Sequence, residues 1–65
     1  MNRFFMEIDD RYAEANSLFN QAIRLTKLYQ YREAREKLRQ AKQLFAAIGL
    51  DDRVEKCDQA VNEIN

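Results

Sequence analysis

Four groups of residues in this 65-residue chain could in principle do chemistry. Asp9 with Asp10, and Asp51 with Asp52, are adjacent carboxylates of the kind that share acid–base work. Cys57 is the single thiol. Arg32, Arg35, Arg39 and Lys42 recur at steps of three, four and three, which aligns four cations on one side of a helix. Tyr29 and Tyr31 stand just before that stripe. Each group also has a structural reading. Asp is favoured at helix starts, where free N–H groups and the helix dipole attract it. Capping therefore explains both Asp pairs better than catalysis. A lone Cys in an apolar stripe serves as a small core residue.

The remaining composition closes off most enzyme and cofactor classes. The chain has no His, one Cys and one Gly. A zinc site draws its ligands mainly from Cys and His, and a Ser-His-Asp or Cys-His pair needs a His. Nucleotide-cradling loops need several glycines. No catalytic residue, metal site or cofactor is expected. A single Cys forms no internal disulfide and implies no oxidising compartment. No apolar run reaches membrane-spanning length, and the first residues lack a signal-peptide core. A cytoplasmic protein is expected. The initiating Met and polar last residue favour a whole protein over a piece of a longer repeat array.

Lys plus Arg number 11 and Asp plus Glu number 11, so the net charge is zero, but its distribution is uneven. From Arg24 to Lys42 there are seven basic residues and two acidic ones. The first 14 residues carry net −2, and Asp51 to Asn65 carry net −3. The basic stripe either answers the protein's own acidic ends or docks an acidic peptide, an acidic helix or nucleic-acid phosphates. Nucleic acid is the less favoured partner, because such binders are usually basic overall.

These residues need elements to hold them, and the spacing is helical throughout. Pro is absent, and Ala, Leu, Glu, Lys, Arg and Gln dominate. Phe5, Ile8, Tyr12, Ala15, Phe19, Ala22, Thr26 and Tyr29 recur at steps of three and four. So do Tyr31, Ala34, Leu38, Ala41, Phe45 and Ile48, and then Val54, Cys57, Val61 and Ile64. Three helices follow, at about 10–28 (or from 3), 31–48 and 52–64. The fold class is all-α, an antiparallel helical hairpin plus a third helix in one domain.

Gly49 marks the second boundary as a left-handed C′ residue, with Leu50 placed to touch Phe45 and Asp51 or Asp52 placed to cap the next helix. The first boundary has no Gly or Pro. It is read from phase: the stripe after Tyr29 is displaced by one residue, about 100° around a helix. One long helix from about Asp10 to Ile48 with a local irregularity is the alternative. Gln-Ala recurs at 21, 40 and 59, a constant spacing that suits one helix plus its turn.

Tyr31, Arg32, Glu33, Ala34, Leu38 and Ala41 together resemble the second helix of a tetratricopeptide repeat. Leu18, Ala22 and Leu25 fit the large–small–large positions of the helix before it. Val54, Cys57 and Val61 are similar to the start of a following repeat, although Asp58 stands where that family prefers a small residue. The family's turn Gly is absent, with Tyr29 near its position, and Ala46 or a neighbour replaces its Pro. The resemblance covers Leu18 to Ile64, one and a half to two repeats. The three-helix MIT domain is similar in length and Ala pattern. Either resemblance implies a protein-binding scaffold.

The expected function is a non-enzymatic protein–protein interaction module or adaptor that self-associates as a homodimer or larger species. The alternative is a small nucleic-acid-associated regulator using the 24–42 stripe. Arg32, Arg35, Arg39, Lys42, Tyr29 and Tyr31 are the candidate partner-binding residues. Phe4, Phe5, Ile8 and Tyr12 are the candidate oligomer contacts, because an apolar start of this kind is poorly suited to water.

Overall fold

A computed structural model describes the backbone of residues 3–64 and side chains from Ile8 to Ile64. The side chains of Phe4 and Phe5 lie outside the described residues. Three helices follow one another: α1 spans Arg3–Lys27, α2 spans Tyr31–Ala47 and α3 spans Asp51–Ile64. Of the two starts the spacing allows, α1 takes the earlier. Asp9 and Asp10 therefore sit inside a helix, exposed, and not at a helix start. Phe5 and Ile8 extend the Tyr12–Ala15 stripe upstream, so the helical pattern has no reason to stop at the Asp pair. The long-helix alternative is also excluded, because the chain breaks at Leu28–Gln30.

Both breaks use the same hydrogen bonds. After α2, Gly49 N–H donates to Ala46 O at 3.1 Å and Leu50 N–H to Phe45 O at 3.0 Å. After α1, Tyr29 N–H donates to Thr26 O at 3.0 Å and Gln30 N–H to Leu25 O at 2.9 Å. Each is a Schellman ending, in which the two residues past the cap satisfy orphan carbonyls. It requires a left-handed residue at C′. Gly49 meets this with φ 77°, and Tyr29 meets it with φ 63°. Tyr carries a Cβ penalty there that Gly avoids.

Tyr29→Gly is therefore expected to stabilise the fold by about 1 kcal/mol, and Gly49→Ala to destabilise it by about 1 kcal/mol. A Cβ at Gly49 would meet nothing within 4 Å, so that loss is conformational. Thermal melting followed by circular dichroism reads both. Equal shifts of one sign would overturn the account.

The start of α3 corrects one expectation. Arg53 N–H and Val54 N–H both donate to Leu50 O at 3.1 Å, which makes Leu50 the cap residue. Asp51 and Asp52 lie inside the first turn, where they face the helix dipole without capping. The connection is too short for a separate cap. Leu50 closes one helix and opens the next.

α2 packs against both neighbours, while α1 and α3 touch only slightly. Among the described residues, the fully buried side chains are Ala15, Ala22, Ala34, Leu38, Ala41, Phe45 and Cys57. Four of the seven are Ala, so the helix backbones approach closely and large residues fill in from the sides. Leu18, Phe19, Leu44, Leu50 and Val54 pack against the cluster formed by Ala15, Ala41, Phe45 and Cys57. Tyr12 sets its ring edge against Phe45, with centroids 6.0 Å apart. The repeated Gln-Ala pairs take equivalent places. Each Gln is exposed, Ala22 and Ala41 are buried, and Ala60 is half-buried.

Candidate interaction surfaces

α2 carries the basic stripe along the seam it forms with α3. Arg35, Arg39 and Lys42 rim a groove of about 220 Å³ whose floor includes Leu38, Cys57 and Val61. Asp58 of α3 stands on the opposite rim, and Lys42 Nζ lies 2.8 Å from its Oδ1. Arg39 Nη2 lies 3.5 Å from Glu36 Oε1 one turn away, with both groups well exposed. Such solvated pairs contribute about 0–1 kcal/mol. Arg32 continues the stripe as an exposed residue beyond the groove.

Tyr29 and Tyr31 are placed elsewhere. They flank the α1–α2 turn with rings edge to face, centroids 6.2 Å apart. Tyr31 lines a second hollow with Ile23, Thr26, Ala60, Glu63 and Ile64. Of the six candidate partner-binding residues, Arg35, Arg39 and Lys42 thus share the groove, Tyr29 and Tyr31 flank the turn, and Arg32 lies beyond the groove. Tyr12, a candidate oligomer contact, is half used within the chain: Arg53 of α3 lies 5.9 Å from its ring centroid. Ile8 is exposed on α1.

Sequence reasoning did not find Asp58 as the partner of Lys42, nor Arg53 over Tyr12. Asp58 left one trace, an acid where the repeat that the sequence resembles prefers a small residue. The Arg53 contact left none, since it depends on how α3 lies across α1.

Cys57 is buried beneath the groove, 1% exposed. Burial first, and then the Asp58 carboxylate, raise its thiol above the ordinary value of 9.0, while Lys42 pulls the other way. A raised folded-state value means the native chain holds this proton more tightly than the unfolded chain. The resulting stability is present below about pH 9 and is lost as pH climbs through the folded value. Unfolding free energy is expected to fall above pH 9 more steeply in the native sequence than in Cys57→Ala. Urea titrations at a series of pH values read the difference, and parallel slopes would contradict it. Thiol labelling should also be slow in buffer and fast in urea.

Among the described residues, no group of three His, Cys, Asp or Glu is arranged to hold a metal ion, and no helix is long and apolar enough to cross a membrane. Comparison with family models, with curated proteins and with solved structures finds no match to this chain.

Proposed function

We propose that this chain is a non-enzymatic protein–protein interaction module of the tetratricopeptide-like kind, working in the cytoplasm and associating with copies of itself. The observation that carries this reading is the apolar surface its own helices leave uncovered. Ile8 is 51% exposed, Leu28 63% and Tyr29 79%, and Tyr12, Ile23 and Tyr31 are also exposed. Among the described residues, the fully buried core holds only three side chains larger than Ala. A domain of this size buries about 60% of the surface its unfolded chain exposes, and a partner supplies what it lacks. Aromatic residues such as Tyr29 and Tyr31 suit such contacts, with large area and few rotatable bonds.

The nucleic-acid alternative gains no support from a stripe in which Lys42 and Arg39 already face carboxylates.

Light scattering on a sizing column, at two salt concentrations, tests the reading. A mass of two chains or more supports it. A monomer that binds no hydrophobic dye overturns it.

A further inference from the structure

We propose that the groove between α2 and α3 receives the first turns of α1 from a second copy of this chain, a contact that rests on the self-association reading above. α1 has 25 residues and α2 has 17. Both leave the same tight turn, so the excess of about eight residues projects at the far end, about 12 Å at 1.5 Å per residue. No helix of the same chain is long enough to flank it. Residues 8–14 are exposed without exception.

The composition of this projection is one-sided. Arg3 to Asp10 holds four apolar residues, three acids (Glu7, Asp9 and Asp10) and a single base, Arg3, at its outer end. Ile8, Asp9 and Asp10 are exposed on it. The groove offers the complement. Leu38 and Val61 give it an apolar floor, and Arg35, Arg39 and Lys42 give it a cationic rim. Asp58 occupies Lys42, and Glu36 lies 3.5 Å from Arg39 in an exposed pair that an incoming carboxylate can displace, while Arg35 has no such partner among the described residues. An amphipathic helix laid in an apolar groove is a recurring recognition mode, and charge at the rim fixes partner and register.

The occupant comes from another chain. α1 is unbroken from Arg3 to Lys27, so its own first turns run away from the groove with no hinge to bring them back. Each copy carries both halves of the contact. A two-fold arrangement therefore makes it twice and leaves neither half open.

Charge exchange in the full chain tests this, read by sedimentation equilibrium, with circular dichroism confirming helix content. D9K/D10K and R35E/R39E should each weaken the dimer about tenfold or more, because each sets like charges against one another. An equimolar mixture of the two should restore it, since both contacts in the mixed pair are again opposite in sign. Restoration supports the proposal. A dimer that both double variants leave unchanged overturns the groove assignment while self-association stands. A wild-type chain that remains monomeric at all concentrations overturns both.

Discussion

Replacing Phe45 by Ala is expected to leave the chain largely unfolded at room temperature. Phe45 is 1% exposed and is one of three fully buried side chains larger than Ala among the described residues. It packs with Ala15 and Ala41 between α1 and α2, with Cys57 of α3, and against the edge of Tyr12. Every helix thus has a residue on its ring. Removing a buried Phe side chain costs about 3–5 kcal/mol, part transfer and part cavity. A single core at this chain length rarely supplies more than about 3–5 kcal/mol in all. The two quantities are comparable, so little or nothing remains. Urea titration of helical circular dichroism, at one fixed protein concentration, reads the loss. Phe45→Leu should fall between, because it keeps most of the volume. A loss below about 1.5 kcal/mol for the Ala variant would show that the helices close over the gap, contrary to the packing described.

The second large effect comes from adding atoms. Ala41 is fully buried in the same cluster. Ala41→Leu changes intrinsic helix preference by little, so its effect reports packing alone. Ala41 is 0% exposed, so the added carbons can enter only by displacing its neighbours. Overpacking of this kind costs about 1–3 kcal/mol, and here it forces α2 away from a neighbour. The control is next door. Gln40→Leu adds apolar bulk at an exposed position and should leave stability within about 0.5 kcal/mol. Melting curves of the two variants should separate widely, and coincident curves would refute the close approach.

The parts of this fold that are legible in the sequence are those written as periodicity. Three stripes, displaced in phase at Tyr29–Tyr31 and interrupted at Gly49, locate three helices without any other signal. The turn at Gly49 is doubly legible, because Gly at C′ followed by an apolar residue is a local chemical signature. The turn at Tyr29 is not. Nothing about Tyr favours φ 63°, which is required by the Schellman hydrogen bonds to Thr26 and Leu25. Asp51 and Asp52 misled for a related reason. Capping preference is local, but the three residues between α2 and α3 are already committed to the Schellman ending, so Leu50 takes the cap. Asp9 and Asp10 were equally ambiguous, since Asp marks a helix start only where the apolar stripe does not continue past it. The cationic stripe is periodic and was plain. Its groove was not, because Leu38 and Val61 meet only after α3 lies along α2.

The central place of α2 shapes how this chain reaches its structure. Apart from the slight touch of α3 on α1 at Arg53 and Tyr12, contacts form between helices adjacent in sequence, joined by connections of three residues each. No distant segment has to be found, so the entropy of loop closure stays small. Chains dominated by such local pairings fold in microseconds to milliseconds. α2 belongs to both pairings, and either hairpin gives it a first partner. In hydrogen exchange its middle amides, around Leu38 to Phe45, should open only with global unfolding, while the end of α3 opens alone. A single helix then holds the cooperativity of the whole molecule, and whatever loosens it loosens both of its neighbours at once.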